Sequence, residues 1–193
     1  MSEKKMIESS SPTEEKGVEI REESKWWVAK TLAVAFGVML FVNNALVVNA
    51  VVPSSSMEKT LMPGDRFLAN RNAYGMGVEP ERFDVIVFRY PDDESKIFVK
   101  RVIGLPGEKI EIVDGKVYVD GAGEPLDDSF TPEPMEGSFG PYQVPEGCFF
   151  VMGDNRNHSN DSRGWQNTFV SRDQILGKAA AVYWPPKRVK LID

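Results

Sequence analysis

Cysteine and histidine are nearly missing from this 193-residue chain, which has one of each, Cys148 and His158. One cysteine rules out an intramolecular disulfide framework, and one histidine rules out a His-rich metal site. Positive charge is also in short supply. The formal net charge is -6, which leaves no broad cationic surface for a phosphate backbone, so nucleic acid is not an expected partner. Cys148 stands beside Phe149, Phe150 and Val151, where a thiol reads as a small core hydrophobe rather than a nucleophile. Any chemistry is therefore expected to run on ordinary side chains, with no metal and no cofactor.

What is present is a composition suited to one folded domain and a short appendage, with 41% hydrophobic and 27% charged residues. Residues 1–25 hold seven Glu and five Lys or Arg without an apolar period, and read as a disordered tail. Residues 26–44 follow as an apolar run whose one charge, Lys30, lies near its start. A helix over 26–43 would be about 27 Å long, close to the roughly 30 Å of a bilayer's hydrocarbon, so a single transmembrane helix is expected. Lys25 and Lys30 on the entry side favour a cytoplasmic N-terminus. A cleaved secretory signal ending near Val48-Asn49-Ala50 is the alternative, and either reading puts residues 45–193 in an extracytoplasmic compartment.

Beyond Pro53 short runs rich in Val, Ile, Phe and Tyr predict strands over 66–70, 84–89, 96–105, 109–113, 116–119, 148–152 and 178–184. Asp114-Gly115 between two of them predicts a tight hairpin. Residues 120–145, rich in Gly, Pro and acid, predict a long surface excursion with a short strand near Tyr142. No long amphipathic helix follows the apolar run. The expected class is all-β, built of coiled antiparallel sheets behind one N-terminal helix.

Three stretches are candidates for chemistry. PSSSMEKTLMPGD, residues 53–65, begins like a solvated linker but carries Met57, Leu61 and Met62, which a linker does not need. KIFVKRVIGLPGE sets Lys100 and Arg101 inside an apolar strand. Phe98, Lys100 and Val102 share one face and Val99, Arg101 and Ile103 the other, so one cation is expected to point inward. The bland outcome is a side chain that snorkels to the sheet edge; a lysine held dry would instead lose its proton near neutrality and become a base. VMGDNRNHSNDSRGW, residues 151–165, is a polar loop in which Asp154, Arg156, Asp161 and Arg163 can pair as a scaffold. Its carboxylates are balanced by arginines, which argues against a metal. A Ser-His-Asp triad would have only His158 as its centre, and a Ser-Lys pair fits better.

Taken together, the PSSSM, IFVKRVIGLPGE and GDNRNHSNDSRGW motifs resemble those of the bacterial type I signal peptidases, in that order and behind one N-terminal span. The resemblance reaches to about Trp184. It implies a membrane-bound serine endopeptidase that removes signal peptides from exported preproteins, acting as a monomer beside membrane lipid. It implies Ser56 as nucleophile, Lys100 as general base, Ser54 as an oxyanion donor and Ser159 as a hydrogen-bond partner of the Lys100 amine. Asp154, Arg101, Asp161 and Arg163 would be structural around the site. Val52, Pro53, Met57, Leu61, Phe98 and Val99 would line shallow pockets for small side chains such as alanine. Met57, Leu61 and Met62 are also expected to form an apolar rim at the lipid surface. Two positions depart from the family pattern: Lys59 stands where a proline is usual, and His158 where Asp or Asn is usual. Two rival readings remain, a self-cleaving repressor, which would need a DNA-binding domain this chain has no room for, and an anchored β-domain without activity.

Overall fold

The computed structural model describes residues 15–75 and 77–192, with side chains omitted at 15–24 and 41–45. The chain divides into two units, residues 1–43 and 44–193. The first is described by one helix, α1, Glu15–Ala45, which runs on by two residues. It takes in residues 15–25 of the segment expected to be disordered; residues 1–14 of that expectation lie outside the described residues. Glu, Lys and Arg are good helix formers, and extending an existing helix needs no new nucleus, so the charged segment can continue the apolar one. The side chains described on α1, residues 25–40, are exposed, Trp26, Trp27, Leu32, Val34 and Phe36 among them. Among the described residues no helix is long and apolar enough to cross a membrane.

The second unit is mostly β, as expected. Its strands are β1 Val47–Val51, β2 Arg66–Asn70, β3 Val85–Tyr90, β4 Asp93–Gly104, β5 Lys109–Val113, β6 Lys116–Val119, β7 Phe139–Gln143, β8 Cys148–Met152, β9 Val170–Ser171, β10 Ile175–Trp184 and β11 Lys190–Leu191. One antiparallel sheet has the order β1-β2-β10-β3-β4-β8-β9, with β11 added to β10, and β6-β5-β7 form a second. Register shifts interrupt the β10–β2, β10–β3, β3–β4 and β4–β8 ladders, and such irregularities bend and twist the strands.

Strands β1, β9 and β11 escape sequence reading. β1 is short and continues an apolar run, and the other two are two-residue pairings set by tertiary context. β4 begins at Asp93 rather than 96 because Pro91 and Asp92 form a tight turn onto β3, with Tyr90 opposite Asp93. A main-chain ladder accepts polar residues when a hairpin sets its register. The β5–β6 hairpin turns at Asp114 (φ 47°) and Gly115 (φ 76°) as expected. A Cβ at Gly115 would run into the Met135 carbonyl, so that turn also needs glycine for space.

Three buried clusters hold the unit together. One joins β1, β2 and β10 with Met57 and Leu61; a second joins β3, β4 and β8 with Trp165; a third lies between β5, β6 and β8.

Candidate active site

The segment between β1 and β2 is a loop anchored by its own apolar side chains. Met57 and Leu61 are fully buried in the first cluster, and Leu61 N donates to Met57 O at 2.6 Å. Burying side chains of this size is worth roughly 1.5–3 kcal/mol each, which fixes the turn that carries Ser56. Packing beneath the loop leaves Met57 and Leu61 no exposed surface for the pocket or the rim expected of them, while Met62, the third residue of that rim, stays partly exposed. Asp65 closes the loop, accepting from Met62 N at 2.8 Å and from Arg188 Nε at 2.6 Å.

Lys100 stands on β4 opposite Ile86. It is 4% exposed, and its Nζ donates to Ser56 Oγ at 2.6 Å across 44 residues of sequence. Ser54 Oγ donates to the same oxygen at 3.3 Å. Burial brings the Lys100 amine down from 10.5 to about 8; Arg163 adds to the lowering, while the charges of Asp161 and Asp154 oppose it. Desolvation wins. The amine also lies 5.6 Å from the centre of the Phe98 ring.

Arg101 is equally buried, on the opposite face of β4. The strand's periodicity predicts one inward cation and the structure holds two, because the sheet is covered on both sides here and Asp154 neutralises the second. Arg101 Nε and Nη2 each reach a different Asp154 oxygen at 2.9 Å, and Nη1 donates to Phe83 O at 2.8 Å. Thr60 Oγ1 donates to Asp154 as well, and the guanidinium lies over Phe130 at 4.4 Å. The pair ties β4, the Ser56 loop and the polar loop after β8 into one block.

That polar loop is itself braced. Asp161 accepts from Gly153 N at 3.0 Å and from Arg163 Nε and Nη2 at 2.8 and 2.9 Å. Ser162 Oγ accepts from Val151 N at 3.0 Å. Asn155 N donates to Ser56 O at 3.1 Å, and its Nδ2 to Ser55 O and Glu58 Oε2 at 3.2 Å. A Cβ at Gly153 would overlap both the Ser159 hydroxyl and the Ser56 carbonyl oxygen. Only glycine lets the polar loop and the Ser56 loop approach this closely.

Ser159 does not make the bond expected of it. Among the described residues its hydroxyl is buried without a hydrogen-bond partner; the Lys100 amine donates to Ser56, and Ser159 packs against Gly153. His158 is a surface residue, its side chain 72% exposed and its Nε2 3.9 Å from Glu133 Oε1. Lys59 turns away from the amine, donating to Ser129 O and Thr131 O at 3.1 Å. Its backbone has φ 81°, which a proline ring forbids. Lys59→Pro is therefore expected to destabilise the protein by more than about 1 kcal/mol, whereas Lys59→Gly is tolerated; thermal denaturation of the two variants checks this.

Beside Ser56 lies a cleft of about 370 Å³. Val52, Pro53, Phe98 and Val99 line it, and so do Ile97, His158 and Asn160. β4 pairs with β3 at Asp93 and over 97–101, but its pairing with β8 starts only at Arg101. Among the described residues, 97–100 thus have one edge without a strand partner, and side chains from both faces reach the cleft. Sequence reading missed Asn155, Thr60, Gly153 and Asn160. All but Thr60 belong to the polar stretch it singles out, and their partners are visible only once the two loops meet.

The model of the family described as signal peptidase, peptidase S26, matches residues 25–184. The chain belongs to that family. A probable signal peptidase I-2 of Synechocystis is 40% identical over 164 residues, 82% of this chain and 71% of that protein. The signal peptidase I of Bacillus amyloliquefaciens is 35% identical over 189 residues, 93% of this chain and 96% of that one. A crystal structure of an Enterococcus faecalis signal peptidase I aligns at 34% identity and a TM-score of 0.44, covering 52% of this chain and 96% of that one. Membership in the signal peptidase family sets aside the self-cleaving repressor reading.

Proposed function

We propose that this chain is a membrane-anchored serine endopeptidase that removes N-terminal signal peptides from exported preproteins. The observation that carries the reading is the contact of a buried Lys100 amine with the Ser56 hydroxyl. In its neutral form the amine takes the hydroxyl proton as Ser56 Oγ attacks the scissile carbonyl carbon. The carbonyl oxygen becomes an oxyanion, for which the Ser54 hydroxyl is the side-chain donor within reach. Protonated Lys100 then gives its proton to the leaving amine of the mature chain. Water, deprotonated by Lys100 in turn, attacks the acyl carbon; the bond to Ser56 Oγ breaks, Lys100 returns the proton to that oxygen, and the signal peptide leaves with a new carboxylate.

An extended substrate is proposed to pair with the unpartnered edge of β4 and to set small side chains into the apolar cleft, so that backbone bonds supply affinity and pocket size supplies selection. Residues 26–44 are proposed as the single membrane span, with residues 1–25 cytoplasmic and residues 45–193 outside as the catalytic domain. The exposed apolar side chains around α1 support this, and confinement with a membrane-held preprotein would raise the effective concentration of both. A monomer suffices, because both catalytic groups come from one chain.

Cleavage of a preprotein by the full chain in detergent tests the reading. Wild type is expected to release the signal segment and Ser56→Ala to leave it attached; equal cutting by the two would sink the assignment. The pH profile of kcat/KM gives a second check. The base works only when neutral, so activity is expected to rise with pH to a plateau, with the midpoint near 8 rather than near 10.5.

A further inference from the structure

One residue outside the cleft stacks on one that lines it. Tyr90, at the end of β3, lies against Phe98 with ring centres 4.5 Å apart and planes 7° from parallel. Trp165 closes the back of the stack, edge-on to Tyr90 at 5.2 Å and tilted on Phe98 at 6.0 Å. Neither Tyr90 nor Trp165 lines the cleft. The pair is locked in turn: Tyr90 Oη donates to Asp92 Oδ2 at 2.9 Å, and Asp92 accepts from Gln166 N and Asn167 N at 3.0 and 2.7 Å.

Phe98 needs such support. It is half-buried on the stretch of β4 that lacks a partner on one edge, and a strand residue has two common χ1 settings. We propose that Tyr90, backed by Trp165, is a positioning residue that holds Phe98 as the fixed wall of the cleft and thereby limits the substrate side chain accepted there to a small one. Stacking carries this role, and the hydroxyl serves Asp92. The inference rests on the endopeptidase reading and deepens it by naming the residue that holds the wall on which selection for small side chains depends.

The test uses the full chain in detergent and a preprotein whose residue before the cleavage point is Ala, Val or Leu. Wild type is expected to prefer Ala over Leu by about a hundredfold in kcat/KM, in line with the cost of added methylenes in a fitted pocket. Tyr90→Phe keeps the stack and is expected to hold that ratio within about twofold, while Tyr90→Leu is expected to lower it about tenfold by raising kcat/KM for the Leu substrate. Phe98→Ala opens the same wall directly and is expected to shift the ratio the same way, which keeps the inference testable if Tyr90→Leu does not fold. An unchanged ratio in folded Tyr90→Leu, an equal fall on all three substrates, or an unchanged ratio in Phe98→Ala overturns the brace. A wild type that leaves even the Ala substrate whole overturns the endopeptidase reading itself.

Discussion

Lys100→Met is expected to lose cleavage by on the order of 10⁴-fold or more while becoming more stable at neutral pH. The activity loss follows from the proposed mechanism: Met fills the same space but takes no proton, and a hydroxyl without its base is a poor nucleophile. The gain in stability follows from burial. In the unfolded chain the amine keeps its proton up to its ordinary value, whereas in the folded chain it gives it up near 8. The folded pKa is the lower one, so the penalty for burying the charge is fully present below about pH 8. It fades as pH rises from 8 to 10.5. A shift of that size corresponds to roughly 3 kcal/mol, less about 1 kcal/mol for the lost bond to Ser56. Denaturant titrations at pH 6, 8 and 10 check it. Wild type should gain stability across this range and Lys100→Met should not, so the two curves converge at high pH. A variant no more stable than wild type at pH 6 would mean that the amine is well solvated in the folded protein.

Much of the site is readable in the sequence because its parts lie in compact stretches. An apolar strand interrupted by Lys100, a serine run followed by buried-type residues, and a polar loop with balanced charges each announce a local conflict between pattern and burial. Period-2 reading separates the faces of β4 correctly, yet it cannot tell that both faces are covered, so it predicts one inward cation where Lys100 and Arg101 are both buried. The same limit explains Met57 and Leu61. Apolar residues beside a nucleophile can pave the cleft or pin the loop from below, and only the packing of β1, β2 and β10 decides for the second. The bond expected of Ser159 rests on the resemblance, and no local signal in the sequence shows that its hydroxyl is left without a partner among the described residues. Lys59 is a departure without a reason until its backbone is seen to lie at positive φ, and its ammonium to bond the excursion after β6 rather than approach Lys100.

Asp154→Ala is expected to cost about 3–5 kcal/mol, the range for stripping the partner from a buried charge. Asp154 is fully buried and Arg101 nearly so. Truncation takes the two carboxylate contacts of Asp154 away from a buried guanidinium, and neutral acceptors such as Phe83 O and Thr60 Oγ1 do not replace them. Part of the loss should return when Arg101 is removed too. The double variant Asp154→Leu with Arg101→Met removes both charges of the pair, and a double-mutant cycle by chemical denaturation should show strong coupling. Asp154→Asn isolates the electrostatic effect on catalysis. The Asp154 charge opposes the lowering of the Lys100 pKa, so neutralising it favours the free amine, and the acidic limb of the cleavage profile should move below 8 while the plateau falls with the loosened Ser56 loop. A limb that moved upward would mean that Asp154 acts on Lys100 through loop position and not through its charge.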